Sequence, residues 1–120
     1  MNLFARILLS VFLCFIAYIP HDAHSYNDKP IAVLRVMNKA AGKTYTVESP
    51  VGSPVRFEKL SIMTRACKQS DPFDAENFYA FVEITKSDGE QIFGNWMNRN
   101  SPGNIPLQNP DYDVWLVECK

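Results

Sequence analysis

Recognition chemistry is concentrated late in the chain. Trp96, Met97, Ser101 and Pro102 stand on one side of a proline-rich stretch, and Tyr112, Asp113 and Trp115 stand on the other. Large, rigid aromatics give much contact area for little ordering entropy and carry a polar tip, so a cluster of this kind suits binding better than bond-breaking. The competing expectation is that both tryptophans fill a core and the stretch between them only covers its end.

Catalysis would have to rest on carboxylates. Glu83, Asp111 and Asp113 are the candidates, and a pair of opposed carboxylates is what acid–base cleavage of a glycosidic bond requires. Asp111 and Asp113 are two apart, which places both on one face of an extended strand. Histidine chemistry is missing from the region beyond residue 25, because the two histidines are His21 and His24. No Ser-His or Cys-His pair and no histidine zinc site can form there. The acidic run Asp71-Pro72-Phe73-Asp74-Ala75-Glu76 lacks the ligand spacing and glycine turn of a calcium loop. No glycine loop of the phosphate-cradling kind is present. The reading is no catalytic residue, no metal and no cofactor.

Charge excludes one class of partner. Lys and Arg number 12 against 13 Asp and Glu, for a formal net charge of −1. A near-neutral, interspersed surface lacks the basic stripe that phosphates demand, so nucleic acid is not expected. Arg56, Lys59, Arg65 and Lys68 read as charged strand edges that discourage pairing between molecules.

Residues 1–25 read as a secretory signal peptide. Arg6 supplies a cationic start, Ile7 to Ile19 an apolar run, and Ala23-His24-Ser25 a small-residue exit. The run is about 13 residues, or about 20 Å as a helix, which falls short of the ~30 Å of a bilayer core. Cleavage is therefore expected over anchoring, with no span left in the product and a periplasmic or secreted location. Removal takes Cys14 with it and leaves Cys67 and Cys119. In an oxidising compartment these two should be bonded to each other. Closing a loop of about 50 residues is worth roughly 4 kcal/mol by the chain-entropy argument.

The remaining segment, residues 26–120, is expected to form a single all-β domain: a small sandwich or partly open barrel of six to seven short antiparallel strands. Short runs of β-branched and aromatic residues alternate with Gly, Pro, Asn and Asp breaks. Ile31 to Met37 and Thr44 to Glu48 form a first hairpin in which Gly42 supplies a left-handed residue. Val55 and Phe57 open a third strand that passes Glu58-Lys59 through a kink or tight turn toward Cys67. Phe78 to Thr85 is apolar on both faces, as a central strand should be. Ser87-Asp88-Gly89-Glu90 reverses it into Ile92 to Met97. The last strand, Tyr112 to Glu118, alternates Trp115, Val117 and Cys119 against Tyr112, Val114 and Leu116. Tyr26 to Lys29 reads as a loose arm. Residues 98–111 hold Pro102, Pro106 and Pro110 and no recognisable element, and structureless connections of that length are often functional.

The succession Val55-Arg56-Phe57, Leu60-Ser61-Ile62, Arg65-Ala66-Cys67, Trp96-Met97, Ser101-Pro102, Asn109-Pro110 and Tyr112-Asp113-Val114-Trp115, ending in Cys119, resembles an uncharacterised family of secreted alphaproteobacterial proteins. That family is known as domain of unknown function 2155, and the resemblance spans about Ile31 to Cys119. It implies a bacterial envelope location and supports the Cys67–Cys119 pairing, and it implies no activity. The expectation is a non-catalytic periplasmic binding or envelope-assembly module that contacts an envelope protein or polymer. The alternatives are a small envelope hydrolase or lyase using carboxylates, and an inhibitor that presents the proline-rich loop to a secreted enzyme.

Overall fold

The computed structural model describes residues 26–120 apart from residues 72 and 74. The expected leader lies outside the described residues, as do two positions of the acidic run. Eight antiparallel strands form two sheets, and no helix occurs among the described residues. They are β1 (Asn27–Asp28), β2 (Ile31–Asn38), β3 (Lys43–Pro50), β4 (Val55–Phe57), β5 (Leu60–Gln69), β6 (Phe78–Lys86), β7 (Gln91–Asn98) and β8 (Tyr112–Cys119). The larger sheet runs β1-β5-β6-β7 with β4 also on β5, and the smaller runs β3-β2-β8. This is an open sandwich and not a closed barrel.

Alternation builds the core. Phe78, Ala80, Val82 and Ile84 of β6 face Ala32, Leu34 and Val36 of β2 and Val114 and Leu116 of β8, all nearly inaccessible. Turn chemistry sets the connections: Gly42 and Gly89 hold φ of 65° and 86° in the β2–β3 and β6–β7 turns. A side chain there would be strained into the left-handed region. Glu58 takes φ 49° without being glycine, in a two-residue turn that pairs Phe57 with Leu60. That turn makes β4 and β5 two strands of a hairpin.

Two expectations need correction. Asn27 and Asp28 do not form a loose arm: they pair with Gln69 and Lys68, and the Lys68 ammonium sits 2.8 Å from the Asp28 carboxylate. These residues raise the strand count to eight. Cys119 does not share a face with Trp115 and Val117. The β2–β8 register slips between Val33 and Leu34, leaving Val117 unpaired, so Cys119 turns onto the core face with Tyr112, Val114 and Leu116. One extra residue inverts the alternation beyond it. The same device acts on β5, where Arg65 is left over between Thr64 and Ala66 and Cys67 joins Leu60, Ile62 and Thr64 inside.

Thus a bulge aims each cysteine at the other. The Cys67–Cys119 disulfide joins the two sheets at a Cα separation of 5.6 Å. Three residues before Cys67 on β5, the buried Thr64 hydroxyl donates at 2.8 Å to the hydroxyl of Ser49, which shares a rung with Ala32 and Cys119, a second tie between sheets. At the far end the Glu58 carboxylate accepts from Tyr112 Oη at 2.8 Å and Asn38 Nδ2 at 3.0 Å, a third.

Candidate functional site

β7 and β8 are edge strands of different sheets, and no ladder joins them. Residues 99–111 connect them, starting from the end of β7 near the disulfide and finishing at the end of β8 near Glu58. Leu107, only 6% exposed, plugs the core midway and fixes the connection in place. Between this strap and the strands lies a cleft of about 220 Å³, lined by Tyr79, Trp96, Met97, Asn98, Ser101, Pro102, Asn104, Ile105 and Trp115, and touching Val114 and Leu116.

Each ring has a local reason for its place. Trp96 stands opposite Phe81 in the β6–β7 ladder and meets it edge-to-face, with centroids 5.5 Å apart and planes at 79°. It remains 39% exposed, so the indole lies on the solvent face of the sheet. Tyr79, two residues before Phe81, shares that face and meets Tyr26 edge-to-face at 5.6 Å. Trp115 alternates with the buried Val114 and Leu116 and is half-buried on the outer side of β8. Met97, by contrast, is buried and belongs to the core.

Asn77, at the threshold of β6, organises the polar side of the cleft. It is 8% exposed. Its Nδ2 donates to Asn98 Oδ1 at 2.8 Å and to Tyr79 Oη at 3.0 Å, and its Oδ1 accepts from the Phe78 and Asn100 amides at 2.8 and 3.1 Å. The Arg99 guanidinium next to it is held by Glu76 and lies over the Phe78 ring. No buried side-chain polar atom lacks a partner among the described residues.

The structure gathers five of the seven expected residues, Trp96, Met97, Ser101, Pro102 and Trp115, around this one cleft. Tyr112 and Asp113 lie elsewhere. Tyr112 is buried and donates to Glu58. Burial first, and then the Glu58 carboxylate beside it, hold the Tyr112 phenol above its ordinary value. Asp113 borders an adjoining hollow with Gly103, Pro106 and Leu107, which shares Pro102, Val114 and Trp115 with the cleft. Sequence reading missed Asn77, Tyr79, Asn98, Asn104 and Ile105. The asparagines Asn95, Asn98, Asn100 and Asn104, crowded about Trp96, were the available signal.

The candidate catalytic carboxylates diverge. Glu83 lies on the outer face of the larger sheet, bonded to Arg65 at 3.2 Å. Asp113 lies on the outer face of the smaller sheet, since its neighbours Tyr112 and Val114 point inward. Asp111 is exposed ahead of β8. No two of these oppose one another across a cleft, as glycoside hydrolysis would need. Among the described residues no group of three or more His, Cys, Asp or Glu side chains gathers as metal ligands would.

Nothing matches the chain significantly among curated proteins or among solved structures. Residues 32–119 match the family described as uncharacterized protein conserved in bacteria (DUF2155), from the first strand of the smaller sheet to the second half of the disulfide. All of the sandwich except β1 and the first residue of β2, together with the cleft, falls within that span, and the chain belongs to this uncharacterised bacterial family.

Proposed function

We infer that the domain is a non-catalytic binding module of the bacterial envelope, which engages its partner through the cleft between β7, β8 and the 99–111 strap. One observation carries this reading: Trp96 and Trp115, the chain's two tryptophans, line the same cleft, and neither is buried in the core. Tryptophan is over-represented among residues that dominate interface energetics, and a strap anchored by Leu107 holds the cleft preformed. The periplasmic or secreted location rests on the leader pattern of residues 1–25, and a disulfide between Cys67 and Cys119 is compatible with an oxidising compartment.

The test is recovery of binding partners from native envelope by the tagged domain, alongside Trp96→Ala and Pro102→Ala variants whose fold is checked by circular dichroism. Partner recovery should be lost in both variants while their spectra match the parent. Equal recovery, or variants that unfold, would refute the assignment.

A further inference from the structure

The chemistry of the ligand follows from counting which polar atoms of the cleft are already engaged. Asn98 Oδ1 accepts from Asn77 Nδ2 at 2.8 Å and from the Asn100 amide at 3.0 Å. Those two donors fix the orientation of the amide, and its Nδ2 has no partner among the described residues. Tyr79 Oη accepts from Asn77 at 3.0 Å, so its own proton is left to donate elsewhere. The Ser101 hydroxyl and the Asn104 amide likewise have no side-chain partner among the described residues. The cleft therefore presents two donors aimed by a buried asparagine and two adaptable groups, beside two indole rings. None of its lining residues carries a formal charge.

Such a lining selects against a charged ligand, which would be desolvated with no counter-charge to meet it. It also disfavours an extended peptide added along β7, because that mode needs free main-chain groups at the strand edge. Two of those groups are already taken. The Trp96 amide donates to Asn95 Oδ1 at 2.8 Å, and the Asn98 carbonyl accepts from the Ser101 amide at 3.2 Å. At about 220 Å³ the cleft is smaller than the ~300–1,000 Å³ of sites that enclose a drug-sized molecule. It suits one ring of a longer chain whose remainder stays in solvent.

We propose that the cleft binds an uncharged glycan, seating one sugar ring against the tryptophans while its hydroxyl or acetamido oxygens accept from Asn98 Nδ2 and Tyr79 Oη. This rests on the reading that the cleft is the binding surface. Both tryptophans of the chain line it, so intrinsic fluorescence reports its occupancy directly. The full domain is titrated to millimolar concentration with uncharged oligomers of N-acetylglucosamine and of glucose, with an extended uncharged peptide and an anionic polysaccharide in parallel. A saturable emission change is expected with at least one neutral oligosaccharide. Tyr79→Phe, which removes only the hydroxyl, should weaken it roughly two- to tenfold, as expected for one neutral hydrogen bond. Asn98→Asp keeps an oxygen for Asn77 and Asn100 but deletes the Nδ2 donor, and should weaken it about as much.

No response to either neutral series overturns the proposal, as does a response that both variants leave unchanged or one seen only with the peptide or the anionic polymer. If the sugars are silent while Trp96→Ala still abolishes partner recovery, the cleft remains the binding surface and only the glycan assignment fails. If recovery also survives Trp96→Ala, both readings fail together.

Discussion

The two ends of the sandwich are closed by different chemistry. At the Glu58 end, one carboxylate oxygen holds Tyr112 Oη and Asn38 Nδ2, side chains of residues that face each other across the β2–β8 ladder. That clamp ties the β4–β5 turn to the other sheet, and it keeps Glu58 at φ 49°, a conformation that side chains other than glycine's adopt at a cost. At the other end a covalent bond joins the sheets. Cys67 pairs with Ala80, next to Tyr79, and Cys119 Sγ lies 3.7 Å from the Tyr79 carbonyl, so the disulfide sits directly behind the cleft. None of the hydrogen bonds of Asn77 at this end crosses to the smaller sheet. Asn77 can direct Tyr79 and Asn98 outward, and Trp96 can stay exposed. A hydrogen-bonded clamp makes one end structural, and a covalent staple leaves the opposite end available for recognition.

Breaking the staple should have the largest effect. Replacing Cys67 and Cys119 with serine together should lower the unfolding free energy by about 2–5 kcal/mol, the usual range for loss of a native disulfide from a small domain. The check is denaturant unfolding of oxidised wild type against the double variant. A loss below about 1 kcal/mol would mean that the Thr64–Ser49 and Glu58–Tyr112 ties suffice without it.

Loosening the clamp should cost less. Tyr112→Phe leaves the ring in the core and removes one hydrogen bond to an exposed carboxylate, for an expected loss of about 1–2 kcal/mol. It should also change the alkaline limit of stability. The folded-state value of the Tyr112 phenol lies above its unfolded value, so its contribution is complete below the unfolded tyrosine range near pH 10. That contribution falls away as pH rises past the unfolded value and through the folded one, because the unfolded chain releases the proton first. Wild type should lose stability across this alkaline window, and Tyr112→Phe should lose measurably less. Identical alkaline profiles would show that the clamp does not couple folding to that proton.

Much of this asymmetry was legible in the residues, though not all. The hairpins follow from alternation and from Gly42 and Gly89, whose turns need a left-handed backbone. The pairing of Cys67 with Cys119 follows from their being the two cysteines beyond the leader pattern. The cluster of Trp96, Ser101, Pro102 and Trp115 follows from aromatics bracketing a proline-rich connection. What stayed hidden depends on single-residue irregularities and on distant partners. Nothing in the spelling of Arg65 or Val117 announces a bulge, yet each inverts the alternation after it and turns a cysteine inward. Tyr112 looked like a companion of Trp115 because only Glu58, 54 residues earlier, explains why it is held inside. Asn77 read as the tail of a polar loop, since its four side-chain hydrogen bonds reach partners at the two ends of the β6–β7 hairpin and beyond it.

The central claim is that the rings at the disulfide end serve recognition and not the core, and Trp96→Ala tests it most directly. Its denaturant unfolding and its partner recovery are measured on the same preparation. A half-exposed indole resting on Phe81 should cost about 1 kcal/mol or less on truncation, well under the ~3–5 kcal/mol of a buried tryptophan. Recovery should be lost from protein that remains folded. A stability loss in the buried range, or undiminished recovery by the folded variant, would contradict the account.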